Sequence, residues 1–92
     1  MSDSTVRQIW KYRIPGPGME VDMPQGATPL CVQLQRGKPT LWAEVDPAAK
    51  KVKRKFNIVG TGQLYPYDAV GSYVGTWLLD GLVWHLFDGG ES

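Results

Sequence analysis

The 92-residue chain has one cysteine, one histidine and no apolar run that approaches the length of a membrane helix. Because Cys31 is alone, no disulfide can form within the chain, which excludes a disulfide-framed scaffold and fits a reducing cytoplasm. One Cys and His85, without a nearby carboxylate pair, cannot supply the ligand spacing of a zinc or non-haem iron site, so the sequence predicts no metal and no cofactor. The first residues, Met-Ser-Asp-Ser-Thr, lack the basic and apolar regions of a signal peptide. We therefore expect a cytoplasmic protein that does not contact a membrane.

Basic residues are missing from the second part of the chain. All ten Lys and Arg lie within residues 1–55, together with five acids, whereas residues 56–92 carry four acids and no Lys or Arg. The formal charge of +1 argues against strong nonspecific attraction to nucleic acid. The two oppositely charged parts can still attract each other, within one chain or between copies. Since so short a domain buries only roughly 60–65% of its unfolded surface, we expect a homo-oligomer.

No apolar pattern of helical period is longer than one turn, and 11 Gly and 7 Pro interrupt the chain. Short segments alternate apolar and polar residues instead, which is the period of a β-strand. The pattern predicts an all-β fold with about seven short antiparallel strands in a small sandwich or barrel. We expect a disordered N-terminus over residues 1–5, one β domain over residues 6–88 and a tail over residues 89–92. The strands are predicted at residues 6–14, 19–23, 30–35, 40–45, 50–59, 73–79 and 82–87.

Two of the four tryptophans, Trp42 and Trp77, fall outside the main apolar set of their strands. Alternation then places them on the outer face, away from the core. Three arrangements can cover such large aromatic side chains: a second sheet, the edge of a barrel or a subunit interface. We predict both as interface residues.

Residues 50–63 join the densest cationic run of the chain to a compact Gly-X-Gly turn. On a strand, Arg54 shares one face with apolar residues, whereas the lysines at 51, 53 and 55 share the other face with Asn57. The turn Gly60-Thr61-Gly62 can point successive amides into a concavity that suits an anion. Residues 63–72 form an irregular, tyrosine-rich loop of a length that is often functional.

Two interpretations of this stretch stay open. One is a solvated strand that resists aggregation and ends in a tight turn. The other is a site that attracts phosphates or an acidic protein face, with tyrosine rings available to stack on a base. On the second interpretation the ligand-binding residues are Lys51, Lys53, Arg54, Lys55, Gly60, Thr61, Gly62, Gln63, Tyr65 and Tyr67.

Nothing in the chain predicts catalysis. No carboxylate pair stands out for general acid and base work, and a Cys31–His85 pair requires a tertiary coincidence. Pro66 makes a helix after the glycine turn unfavourable, so the turn is neither a Walker loop nor a dinucleotide fingerprint. His85, on the strand face of Val83 and Phe87, is typical of a hydrogen-bonded structural residue. We therefore expect a binding protein and not an enzyme.

Seven blocks of the chain stand out: Ile9-Trp10-Lys11-Tyr12, Ile58-Val59-Gly60-Thr61-Gly62, Tyr73-Val74-Gly75-Thr76, Val83-Trp84-His85-Leu86-Phe87, and residues 23–27, 32–33 and 39–47. Together they resemble a family of small uncharacterised proteins, a domain of unknown function found in tailed phages and bacterial genomes. The resemblance spans roughly residues 8–88 and implies a phage or prophage accessory protein in the host cytoplasm. It would counter host defence by sequestering an anionic, nucleotide-type signal or by blocking an effector of the host. The alternatives are a protein-binding inhibitor or structural phage component that uses Trp42, Trp77 and the basic strand, and then a single-stranded nucleic-acid binder.

Overall fold

The computed structural model describes residues 6–14, 16 and 18–91, which form seven antiparallel strands and no helix. The strands are β1 (Gln8–Arg13), β2 (Met19–Pro24), β3 (Thr28–Gln35), β4 (Lys38–Val45), β5 (Lys51–Gly60), β6 (Ser72–Leu79) and β7 (Leu82–Glu91). The predicted all-β class and strand number are confirmed, in the sandwich form. The prediction of a disordered N-terminus falls on residues 1–5, which lie outside the described residues, as do Pro15, Pro17 and Ser92.

The strands form a three-stranded sheet in the order β1-β4-β3 and a four-stranded sheet in the order β2-β5-β7-β6. The core lies between their inner faces, where Phe56, Met23 and Leu86 of the four-stranded sheet meet Leu41 and Val45 of the three-stranded sheet. At most 1% of each of these side chains is exposed. Burying one such side chain contributes about 1.5–3 kcal/mol to stability. Each sheet also has an outer face, on which ligands can be bound.

The two sheets come very close where β6 passes β3. A Cβ atom on Gly75 would lie 2.8 Å from Val32 Cγ1 and 3.3 Å from the Val32 backbone nitrogen. Only a residue without a side chain permits this approach without a shift of β3.

The outward orientation predicted for Trp77 is wrong. The register of β6 against β7 shifts between Tyr73 and Gly75, so that Val74 is the extra residue of a β-bulge. With this shift Trp77 pairs with Trp84 and is 6% exposed within the core. Along β6, apolar residues occupy both odd-numbered and even-numbered positions. Alternation alone therefore could not show which side of β6 faces the core.

The tail predicted at residues 89–92 is also wrong for residues 89–91, which belong to β7. Gly89 is the extra residue of a second bulge, since Lys55 pairs with Gly90 and Phe56 with Asp88. The Gly26 amide donates to Glu91 Oε2 at 2.6 Å, so the end of β7 is held against the turn between β2 and β3. The predicted tail therefore contains the bulge and the last paired residues of β7.

Two hairpins turn over two residues whose backbones are both left-handed. Asp80 and Gly81 have φ of 54° and 79° and join the last two strands. Arg36 and Gly37 have φ of 53° and 75° and form an equally tight turn. As a result β4 begins at Lys38, two residues earlier than predicted.

Candidate ligand-binding groove

Arg54 is held by the chain itself. Its Nε donates to Asp88 Oδ1 at 3.0 Å, its Nη2 to Asp88 Oδ2 at 2.6 Å and its Nη1 to the Ala27 carbonyl at 2.7 Å. Glu91 Oε2 lies 3.5 Å from Nη1, and only 13% of the Arg54 side chain is exposed. A bidentate guanidinium–carboxylate pair of this kind is a strong, directional contact. Arg54 therefore joins β5 to β7 and to the turn before β3, and its donors are already used within the chain.

This ion pair shifts the pKa of both partners. Burial by itself raises the pKa of the Asp88 carboxyl, but the hydrogen bonds from Arg54 and the Gly90 amide and the Arg54 charge outweigh it. The pKa of Asp88 therefore lies below its ordinary value of 3.8. The hydrogen bond to Asp88 raises the pKa of Arg54 in turn. Both groups are charged at neutral pH, so the attraction predicted between the two parts of the chain operates within one molecule.

One of the β5 lysines forms an ion pair with the neighbouring strand. Lys53 is paired in register with Asp22, with 3.3 Å between Nζ and Oδ1, and Lys55 is paired with Glu20. The glycine turn begins at the other end of β5; at about 3.3 Å per residue, roughly 16–17 Å separates Lys55 from Gly60. The structure thus does not bring the cationic run and the glycine turn together. The lysines predicted as ligands are exposed on the outer face of the four-stranded sheet: Lys51, Lys53 and Lys55.

The amides of the glycine turn are mostly occupied. The Gly60 amide donates to Gln63 Oε1 at 2.9 Å, the Thr61 amide to the Val83 carbonyl at 3.0 Å and the Gln63 amide to the Gly60 carbonyl at 3.0 Å. Only the Gly62 amide has no acceptor among the described residues. One amide does not make the row of converging donors that an anion nest requires.

The loop after the turn folds back over the outer face of the four-stranded sheet. Asn57 Nδ2 donates to the Val70 carbonyl at 2.7 Å, and Val59 and Val70 are both 5% exposed beneath the loop. Gly71, at φ 102°, ends the loop directly against the Asp88 carbonyl of β7. The loop therefore has a small apolar contact of its own outside the main core.

Three aromatic rings stand together beside this loop, and we call them the aromatic wall: Tyr65, Tyr73 and Phe87. The ring centroids of Tyr65 and Phe87 are 5.5 Å apart at an interplanar angle of 41°, and those of Tyr73 and Phe87 are 5.8 Å apart at 69°. Tyr65 is 43% exposed and Tyr73 is 60% exposed. The wall leaves aromatic surface available for stacking.

A groove of about 270 Å³ lies between the aromatic wall and the glycine turn, and we call it the turn groove. Thr61, Gln63 and His85 supply its polar side chains, whereas Tyr65 and Phe87 supply ring surface. A few polar groups on a mainly apolar wall is the usual composition of a small-molecule site. The residues that line it are Val59, Gly60, Thr61, Gly62, Gln63, Tyr65, His85 and Phe87.

His85 is fixed by two threonines. Its Nε2 lies 2.8 Å from Thr61 Oγ1 and its Nδ1 lies 2.8 Å from Thr76 Oγ1. The Thr76 hydroxyl also hydrogen-bonds the Tyr73 hydroxyl. The prediction of a hydrogen-bonded histidine is confirmed. This chain of bonds sets the orientation of the imidazole and of the Thr61 hydroxyl at the edge of the turn groove.

A neighbouring groove of about 290 Å³ continues along β5 beneath the loop. It shares Val59, Gln63 and Tyr65 with the turn groove and extends to Lys55. The two grooves together therefore offer ring surface at one end and a cationic side chain at the other.

The predicted ligand residues divide into two groups. Five of them line the turn groove, Gly60, Thr61, Gly62, Gln63 and Tyr65, and Lys55 lines the neighbouring groove. Lys51, Lys53 and Arg54 lie elsewhere on β5, and Tyr67 is 85% exposed outside both grooves. Val59, His85 and Phe87 also line the turn groove but were not predicted as ligand-binding residues. Alternation did place His85 and Phe87 on one face of β7, but no local signal indicated that β7 pairs with β5.

The predicted interface residue Trp42 lies on the other sheet. It is half-buried on the outer face of β4, between its cross-strand partners Lys11 and Cys31, so its outward orientation is confirmed. Cys31 and His85 thus belong to different sheets. Across the described residues, no three His, Cys, Asp or Glu side chains come together as metal ligands, and no helix could cross a membrane.

Comparison with curated proteins and with solved structures gives no match. A family model, described as a domain of unknown function (DUF7352), matches residues 5–92. This span covers all seven strands and both grooves. The chain therefore belongs to the DUF7352 family.

Proposed function

We propose that this chain is a non-catalytic binding protein whose two adjoining grooves hold a nucleotide-type ligand. The observation that carries the proposal is the convergence of Thr61, Gln63 and Tyr65 with His85 and Phe87 around one groove. A planar base fits against the ring surface of Tyr65, where stacking contributes about 1–3 kcal/mol. The Thr61 hydroxyl and the Gln63 amide group lie where they can hydrogen-bond the edge of such a ring.

Lys55 supplies the charge for a phosphate in this proposal. It lines the neighbouring groove together with Gln63 and Tyr65, whereas Arg54 is already committed to Asp88. One exposed lysine makes a modest phosphate contact, so we expect the base to contribute more to affinity than the phosphate. In the phage setting that the resemblance implies, the protein would act in the host cytoplasm by sequestering a nucleotide signal.

Isothermal titration calorimetry with a panel of nucleosides and of linear and cyclic nucleotides tests this proposal. We expect Tyr65→Ala to weaken the binding member by roughly 5- to 100-fold, because the stacking surface is lost. Tyr67→Ala is the matched control, since Tyr67 belongs to the same loop but lines neither groove. Absence of heat with every member of the panel, or equal losses in the two variants, would contradict the proposal.

A second candidate function is inhibition by binding to a protein. The observation that favours it is apolar surface on the β6–β7 hairpin, where the cross-strand partners Leu78 and Val83 are 60% and 37% exposed and Leu82 is 57% exposed. Exposed apolar patches often mark protein contacts. Affinity capture from host lysate discriminates the two functions. A stoichiometric protein partner that is lost with Leu78→Lys and retained with Tyr65→Ala favours the second one.

Oligomerisation remains part of the proposal. Native mass spectrometry of freshly purified protein measures the copy number and any retained small molecule at once. We expect a mass above that of one chain, and a single-chain mass throughout would contradict this expectation.

A further inference from the structure

A second charged surface lies on the outer face of the three-stranded sheet, and we call it the basic patch: Lys11, Arg13, Arg36 and Lys38. Lys11 and Arg13 alternate along β1 with residues that pack inward, and Lys38 pairs with Gln35 next to the Arg36 turn. All four basic side chains are exposed, and within the described part of the chain none forms an ion pair. These residues are spread over 28 positions of the sequence, so they do not form a cationic run that could be recognised from the sequence.

The acids that give the chain its small net charge lie elsewhere. Asp22 neutralises a lysine on the four-stranded sheet, and Asp88 and Glu91 hold Arg54. Of the described acidic residues, Glu44 is the one on the outer face of β1, β4 or β3, and it lies at the far end of β4, opposite Ile9. The three-stranded sheet therefore carries an excess of positive charge, whereas the strands of the four-stranded sheet carry four basic and four acidic residues. This local excess of positive charge can attract a polyanion such as nucleic acid even though the net charge of the whole chain is only +1.

An aromatic side chain lies beside the basic patch. Trp42 occupies the centre of this face, directly between Lys11 on β1 and Cys31 on β3. Lys11 Nζ donates to Gln35 Oε1 at 3.0 Å and thus extends across β4. A sheet face with a central aromatic ring, flanking cations and amide side chains is a platform on which unpaired bases stack while phosphates meet the cations.

Arg36 occupies the first position of a two-residue hairpin turn, where its backbone is left-handed. The left-handed backbone of a two-residue hairpin favours Asn, Asp or Gly at the first position. The hairpin of Asp80 and Gly81 follows this preference with nearly the same φ values, whereas the hairpin of Arg36 and Gly37 does not. Arg36 therefore adopts a strained backbone conformation at the tip of the basic patch. Strain of this kind is typical of functional positions, so it is an independent indication that the Arg36 charge takes part in binding.

We propose that the basic patch and Trp42 form a binding surface for single-stranded nucleic acid. Lys11 and Arg13 stand two residues apart on a strand, about 7 Å, which is comparable with the phosphate spacing of an extended single strand. A duplex has no unpaired base to stack on Trp42, and the carboxylates of an acidic peptide do not stack on an aromatic ring. A single strand matches both the cations of the basic patch and the ring of Trp42. This inference concerns the sheet opposite the turn groove and stands or falls separately from the nucleotide proposal.

The test is fluorescence anisotropy of a labelled oligothymidylate of about twelve nucleotides, a length within one binding site of this kind, titrated with the full chain at several salt concentrations. With three or four phosphate contacts, the logarithm of the binding constant should fall against the logarithm of salt with a slope of about −2 to −3. Arg36→Asn removes one charge and suits the left-handed backbone. It should reduce the steepness of this slope by about 0.7 while the melting temperature stays equal or rises. Trp42→Leu should weaken binding about fivefold or more with the slope unchanged.

The matched control is Lys51→Gln combined with Lys53→Gln, which removes two charges from the other sheet and should leave binding unchanged. Salt-insensitive binding, no change in anisotropy, or an equal loss in the lysine control overturns the proposal. So does tighter binding of a duplex, or of polyglutamate of equal charge, than of the single strand.

Discussion

Replacement of Arg54 by methionine is expected to lower the free energy of unfolding by about 3 kcal/mol. Methionine retains much of the aliphatic volume, but it leaves the Asp88 carboxylate, 12% exposed, without its bidentate partner. The Ala27 carbonyl and Glu91 lose a donor at the same time. The contact between β5, the end of β7 and the β2–β3 turn is weakened in a single step. Urea unfolding followed by tryptophan fluorescence measures this change.

Lys53→Met is the matched control for this prediction. It lies next to Arg54 on β5 and also faces a carboxylate, but its side chain is 61% exposed and that of Asp22 is 64% exposed. A solvent-exposed pair contributes about 0–1 kcal/mol, so we expect little change. Equal effects of the two substitutions would contradict the structural role assigned to Arg54.

The Arg54–Asp88 pair also predicts how stability depends on pH. The pKa of Asp88 is lower in the folded state than in the unfolded chain, so the unfolded chain takes up the proton first as the pH falls. The contribution of the pair is therefore complete above the ordinary Asp pKa of 3.8 and is lost as the pH falls through the lower folded value. Unfolding curves at several acidic pH values should show a shallower loss for Arg54→Met than for the wild type. Parallel pH profiles would contradict the assignment.

Gly71→Ala is expected to be destabilising by about 3 kcal/mol or more. A Cβ atom at Gly71 would lie 2.0 Å from the Asp88 carbonyl oxygen and 2.6 Å from its carbon, and backbone atoms of a central strand cannot rotate away. The φ of 102° adds strain for any residue with a side chain. The loop must then lift from β7, which exposes Val59 and Val70. Chemical unfolding and limited proteolysis within the loop measure the two consequences.

Gly62→Ala separates the clash from the backbone strain. Gly62 has a φ of 88°, but a Cβ atom there meets nothing within 4 Å. We expect only the conformational cost, about 1–2 kcal/mol. Equal destabilisation by both alanines, with the loop no more sensitive to protease, would show that Gly71 does not anchor the loop.

The sequence predicts the strands well because alternation is a local property. β4 places Leu41, Ala43 and Val45 inward and Trp42 outward, as the period of two requires. The prediction is wrong for Trp77, because a bulge at Val74 changes which residues of β6 face inward. A bulge depends on the partner strand and leaves little signal in its own strand.

The site is less predictable, because its residues meet through pairings that are distant in sequence. Arg54 looks like part of a cationic surface until Asp88, 34 positions away, is placed beside it. In the same way, Thr61 and His85 are 24 positions apart and meet only through the pairing of β5 with β7. The glycine turn and Tyr65 were predicted as ligand residues because they form one local segment. The opposing wall of the groove belongs to β7. Its residues could be assigned to the site only once the pairing of β5 with β7 was known.

The central claim is that the grooves beside the glycine turn bind a nucleotide-type ligand, and an amide NMR titration of isotope-labelled protein with mononucleotides tests it most directly. The claim predicts saturable shifts at the Thr61, Gly62 and Gln63 amides and at His85 and Phe87. Absence of shifts at millimolar ligand, or shifts confined to the three-stranded sheet, would contradict it.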